Sequence, residues 1–328
     1  MVGRCLDAAG LRDPRLRSAY GECFRIGRER DCGYRALLFW LPPVKRPYYS
    51  ALGAFITYTD DILDDVRVSV ELRAERYDRW LRRLGAVLAG QPTEPARSEH
   101  ERQGELLARA WAHTMRTWDI PEDAVHAALT AWRADLDAIE FATYGEFERY
   151  VHAVSSTTAG WANTMLEPRS EDAARLLVPI SVALQLIDCV HDLVEDLALG
   201  RLYLPLEDLY RFDLERIDLE RAAREGRCPP GVRALFRFQA ARARRLVEQG
   251  WGYWDLVHPA NREFPWLFTH LSLLFLDELE HVDFDVFAPT GWRDTARRVR
   301  VVARSYLRAV WSRRAGAFGR PTPTSAGS

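Results

Sequence analysis

The chain has 328 residues, 48% hydrophobic and 28% charged, a balance that supports a large buried core in one or two globular units. Its formal net charge of -2 excludes the strongly basic footprint of a nucleic-acid-binding protein, so small molecules are the expected partners. Five widely spaced cysteines with no C-x-x-C pair exclude a zinc or dithiol redox centre and predict reduced thiols in a cytoplasmic protein.

Apolar residues recur at helical spacing along almost the whole chain, which predicts an all-α protein. The first segment carries Arg4, Asp7, Arg12, Asp13, Arg15 and Arg17, leaving no apolar h-region for a signal peptide. Helices are expected near 11–29, 46–66, 69–89, 99–117, 121–140, 144–166, 170–199, 231–257, 261–281 and 291–313. The breaks fall at Pro42-Pro43, Gln91-Pro92, Ile120-Pro121, Gly200 with Pro205, and Pro229-Pro230-Gly231. No Pro/Gly/Ser-rich linker divides them, so one helical domain with a central cavity is expected over 1–314, followed by a disordered tail over 315–328. Charges interrupt the apolar stretches before they reach the roughly 20 residues of a bilayer span, so no integral membrane segment is expected.

Lys45 is the only lysine, which removes Schiff-base chemistry and leaves phosphate binding to arginine. Two acidic clusters stand out. In the first, Asp60 and Asp64 lie four residues apart beside Asp61 and Asp65, on a helix with the apolar flank Ala51 to Ile56. Side chains at that spacing share one helix face and repel each other unless a cation lies between them, and hard oxygen ligands suit Mg²⁺. In the second, Asp188, Asp192 and Asp196 repeat the spacing among Leu184, Leu186, Ile187, Val190 and Leu193. Either cluster alone reads equally well as a solvated face or a set of ion pairs. Together they predict Mg²⁺ held by Asp60, Asp64, Asp188, Asp192 and Asp196, gripping a diphosphate from two sides. Gly200-Arg201-Leu202-Tyr203-Leu204-Pro205 then leaves the second helix, where Arg201 is either a phosphate contact or an ordinary C-terminal cap.

These residues resemble the squalene/phytoene synthase family, which pairs a D-x-x-x-D helix with L-Q-x-x-N-x-x-R-D-x-x-x-D and then G-R-x-Y-L-P. Leu184 to Pro205 follow that pattern without a gap. The likeness extends to Arg46, to Tyr144 through Ala159, and to Asp277-Glu278-Leu279-Glu280. It implies the isoprenoid synthase fold and an enzyme that ionises an isoprenyl diphosphate. It also implies Asp60, Asp64, Asp192 and Asp196 as catalytic Mg²⁺ ligands, and Arg46, Arg201 and Tyr203 as diphosphate contacts.

The chain departs from the family pattern at Thr57, Asp188 and His191, where the pattern has Arg, Asn and Arg, and at Ser155-Ser156, where it has Ala-Gly. Two positive charges are lost and one negative charge is gained, which weakens a clamp for two diphosphates. The departures therefore resemble the branch that transfers one prenyl group to a carbazole- or indole-like aromatic acceptor in secondary metabolism. His191 is then a candidate for the final proton transfer, with a carboxylate partner or core packing as its other reading. The alternatives are head-to-head condensation of two prenyl diphosphates, terpene cyclisation, or an inactive prenyl-binding scaffold.

Overall fold

In the computed structural model, residues 2–29, 36–137, 139–288 and 292–315 are described. They form α1 (Val2–Ala8), α2 (Pro14–Glu29), α3 (Arg46–Leu63), α4 (Val70–Leu88), α5 (Glu99–Thr117) and α6 (Glu122–Trp132). After them come α7 (Tyr144–Val151), α8 (Thr157–Met165), α9 (Asp172–His191), α10 (Leu193–Ala198), α11 (Leu206–Tyr210) and α12 (Arg216–Glu225). The last three are α13 (Pro230–Gln249), α14 (Glu263–His281) and α15 (Trp292–Ala315). The all-α expectation holds: among the described residues the only β pairing is two isolated bridges.

The helix starts follow local chemistry. Ser69 and Ser98 accept from the backbone N–H groups of Leu72 and Glu101, and Thr143 forms a reciprocal capping box with Glu146. The short helices α1, α11 and α12 were not anticipated. Four expected helices are broken instead of continuous, the 231–257 stretch at Gly250, where α13 ends ahead of a 3₁₀ turn over Tyr253–Leu256. The 121–140 stretch tightens into a 3₁₀ turn over Arg133–Leu136. The 144–166 stretch widens into a π turn over His152–Ser156 between α7 and α8, and the 170–199 stretch breaks at Asp192 between α9 and α10. Helix α15 runs to Ala315, the first residue of the expected tail, and the rest of that tail, 316–328, lies outside the described residues.

Two apolar clusters organise the bundle. In the first, Phe55 of α3 stacks on Trp111 of α5 at 4.9 Å, and Trp111 meets Trp161 of α8 at 5.5 Å. In the second, α9 lies along α13, where Val182, Leu186, Leu235 and Phe236 are buried together. Helix α9 is also long and apolar enough to cross a bilayer on length and composition alone, which amends the earlier expectation. Over half of it is buried in the bundle and it carries Asp188, which suits a core helix.

Candidate active site

Between α3, α9 and α14 opens a cavity of about 620 Å³, a size suited to a small-molecule ligand. Its deep wall is apolar: Leu52, Ile56, Leu166, Leu177, Ile180 and Phe264 line it, with Trp132 on the side of α6. Both acidic clusters line its mouth, so Asp60 and Asp64 on α3 come together with Asp188, Asp192 and Asp196. The break after His191 ends α9 at this mouth, with the Asp192 backbone N–H still donating to the Asp188 carbonyl at 2.8 Å.

Arg201 reaches the same place through a tight helix exit. Gly200 adopts φ 78°, a left-handed conformation that costs a side-chain-bearing residue energy. Its N–H donates to the Leu197 carbonyl at 3.0 Å, and that of Arg201 to the Asp196 carbonyl at 2.9 Å, closing a Schellman turn. The buried Arg201 guanidinium then pairs with Asp64 at 2.6 Å and donates to the Asp135 backbone carbonyl at 2.7 Å. Tyr203 lines the cavity beside Tyr150, with ring centroids 5.8 Å apart.

Asp135 completes the acidic mouth and escaped notice in the sequence. It sits in the 3₁₀ turn after α6, lines the cavity, and accepts from the Tyr150 hydroxyl at 2.8 Å. No second aspartate stands four residues away, so spacing carried no signal for it.

Six aspartates thus face one cavity, and Arg201 is the one arginine or lysine among the described residues that line it. Burial, then repulsion from Asp64 and Asp135, pushes Asp60 up to about 8. Asp188 and Asp196 rise to about 7 through burial and then Asp192. Burial likewise lifts Asp135 to about 6, against the opposing hydrogen bond from Tyr150. Asp188 is open to solvent by area while protein surrounds its carboxyl, as expected of a group facing a wet cavity within the fold.

This donor set fits Mg²⁺. The ligands are hard oxygens in excess of positive charge, and the neighbouring Cys189 thiol is held neutral by burial. Among the described residues no three acidic, histidine or cysteine side chains already converge on one point. Repulsion among the carboxylates and the Arg201 bridge to Asp64 account for that spread.

Two expected site residues lie elsewhere. Arg46 is not among the lining residues; its guanidinium donates to the backbone carbonyls of Leu41 and Phe39 at 3.0 and 3.3 Å. His191 is also off the lining, with its side chain 64% exposed, its Nδ1 on Asp192 and its ring 5.2 Å from Phe275. Thr57 and Ser155 do line the cavity. Ser155 donates to Gln185 Oε1 at 2.5 Å, and Ser156 shares a 2.7 Å hydrogen bond with Ser181, so the two hydroxyls tie the π turn to α9.

Comparison with known proteins places this geometry. The family model for squalene/phytoene synthase matches residues 32–306. The chain is 33% identical over 242 residues to the bifunctional protein CrtB/UppS of Streptomyces coelicolor, covering 73% of this chain but only 40% of that longer protein. It is 27% identical over 308 residues to 15-cis-phytoene synthase of Synechocystis, covering 88% of this chain and 86% of that one. Among solved structures, a dehydrosqualene synthase aligns with TM-score 0.73 at 19% identity over 90% of this chain and 98% of its own. Squalene synthase HpnC of Alicyclobacillus acidocaldarius aligns with TM-score 0.70 at 23% identity over 84% and 98%. The structural likeness shows the isoprenoid synthase fold, and the sequence match shows that the chain belongs to the squalene/phytoene synthase family of prenyl transferases.

Proposed function

We propose that the protein condenses two prenyl diphosphates head to head into a long hydrocarbon. The observation that carries this reading is a single cavity with both acidic clusters at its mouth and an apolar depth behind them. The relatives that align along most of this chain are named as phytoene synthases, which moves the reading from an aromatic acceptor to a second prenyl diphosphate.

Mg²⁺ held by Asp60, Asp64, Asp188, Asp192 and Asp196 would offset the charge of a leaving diphosphate. Around it the chain's own residues bind and shield. Arg201 presents a fixed cation at the mouth, and Tyr203 and Tyr150 bring hydroxyls near Asp135. Behind them Leu52, Ile56, Ile180 and Phe264 exclude water from the prenyl chain and from any cation it forms. The exposed His191 is left without a part in proton transfer in this reading.

A second reading keeps the aromatic acceptor. It rests on the lone arginine of the lining and on Thr57 at a position where the family pattern is cationic, since a second diphosphate would find little direct positive charge. One assay separates the two. Purified protein is incubated with Mg²⁺ and farnesyl or geranylgeranyl diphosphate, with and without indole and carbazole acceptors, and products are identified by mass. A doubled prenyl hydrocarbon made without acceptor supports condensation. A singly prenylated aromatic made only with acceptor overturns it.

A further inference from the structure

Helix α15 is pinned to the bundle on one side and presents an apolar stripe on another. Arg297 pairs with Asp277, Arg298 with Glu278 and Arg308 with Glu263, all on α14. Facing outward, Val299, Ala303, Leu307 and Trp311 recur every fourth residue and are all exposed, with Leu307 at 61% and Trp311 at 74%. The adjoining row is Arg300, Arg304 and Arg308, also exposed. Arg308 lies 3.9 Å over the Trp266 ring, Trp266 stacks on His270 at 3.7 Å, and His270 is 5.5 Å from the half-exposed Trp251. Stripe, arginine row and aromatic arc are therefore continuous.

Large apolar side chains scattered singly over a surface need no explanation, but a row at helical spacing bordered by arginine has the pattern of an interfacial helix. Its amphipathic tryptophan suits the boundary between headgroups and acyl chains. Charge selects the occupant. The exposed Arg300 and Arg304 border the stripe, so a second copy packed face to face would oppose arginine to arginine, whereas an anionic lipid surface complements them.

We propose that α15 docks this protein on an anionic phospholipid bilayer, with Leu307 and Trp311 at the acyl boundary and Arg300 and Arg304 among the headgroups. This surface is distinct from the cavity, and its test does not depend on which reaction the cavity performs. It refines the expected cytoplasmic location to the face of a membrane.

The full chain is sedimented with vesicles of phosphatidylcholine alone or mixed with phosphatidylglycerol, at low and high salt. The expected result is at least roughly tenfold more bound protein on the anionic vesicles, released by salt. Loss of that binding is expected in Leu307→Ser/Trp311→Ser and in Arg304→Glu, with circular dichroism melting unchanged because these side chains point into solvent. Three outcomes overturn the proposal: no binding of the wild type to anionic vesicles, binding that survives both variants, or a concentration-dependent dimer that Leu307→Ser/Trp311→Ser dissolves. The last would assign the stripe to a second copy of the chain.

Discussion

Arg201 and Asp64 are joined by an ion pair of 2.6 Å that ties the exit of the second acidic helix to the end of the first. Asp64 is the C-cap of α3, and its backbone N–H donates to the Asp60 carbonyl at 2.8 Å, so the pair also sets where Asp60 sits. Arg201→Lys keeps the charge but loses the planar fork that serves Asp64 and the Asp135 carbonyl together. The loss of one charge-assisted hydrogen bond, about 1.5–3 kcal/mol, corresponds to a fall of roughly ten- to hundredfold in kcat/KM for the diphosphate donor. Steady-state kinetics within twofold of wild type would reduce Arg201 to a helix cap.

The raised carboxyls give the metal-free protein an inverted pH dependence. An unfolded chain ionises its aspartates near about 4, whereas folded Asp60 holds its proton to about 8 and Asp188 and Asp196 to about 7. In that window the folded state binds more protons than the unfolded one. These groups therefore contribute stability that is fully present below the unfolded pKa and is lost as pH rises through the folded values. The melting temperature without metal should fall from about pH 5 to about pH 8 and recover on adding Mg²⁺ with inorganic pyrophosphate. Asp60→Asn should flatten that slope and melt higher than wild type at the alkaline end, while losing about a hundredfold or more in turnover. An unchanged slope would show that Asp60 is ionised in the folded protein.

His191 stands beside Asp192 in sequence, yet a one-residue step turns a side chain about 100° around a helix, which carries His191 off the acidic face. Its exposed ring contacts Phe275 and Asp192, not the cavity. His191→Ala is expected to keep kcat within about threefold, as surface substitutions usually cost little. A hundredfold loss would return the ring to the chemistry.

The parts of this protein that were legible in its sequence are those written in a repeating period. The D-x-x-x-D rows placed five aspartates at one mouth, and helical spacing placed most of the long helices. What stayed hidden has no period. Asp135 acts alone from a 3₁₀ turn, and the π turn at His152–Ser156 inserts a residue without disturbing the apolar pattern around it. Arg46 was implied as a phosphate contact by the family resemblance. Its reach is spent instead on the carbonyls of Phe39 and Leu41, around a tight turn that leads into α3.

Gly250, the C-cap of α13, packs directly against α9. A Cβ built there would overlap the Leu176 carbonyl oxygen and contact the Ile180 side chain, and Ile180 lines the cavity. Backbone cannot yield as a flexible side chain can, so Gly250→Ala should destabilise the fold by about 1–3 kcal/mol, the usual cost of overpacking. Urea denaturation would read that loss. A stability change within about 0.5 kcal/mol would mean that α9 and α13 slide apart freely.

Ala162 tests how far the prenyl chain reaches. It lines the cavity next to Tyr49, whose hydroxyl donates to the Ala162 carbonyl at 2.6 Å, so the backbone at this point is held in place. Ala162→Phe would therefore fill cavity volume instead of shifting the helix. A donor tail that extends to this wall would lose buried methylenes, each worth about 0.8 kcal/mol, and the penalty should grow with chain length. The KM for geranylgeranyl diphosphate is expected to rise at least about tenfold, while that for farnesyl diphosphate changes less than about threefold, as one to two lost methylenes imply. An unchanged KM for both donors would place the wall beyond the reach of either tail and move the chain-length determinant towards Ile180 and Phe264.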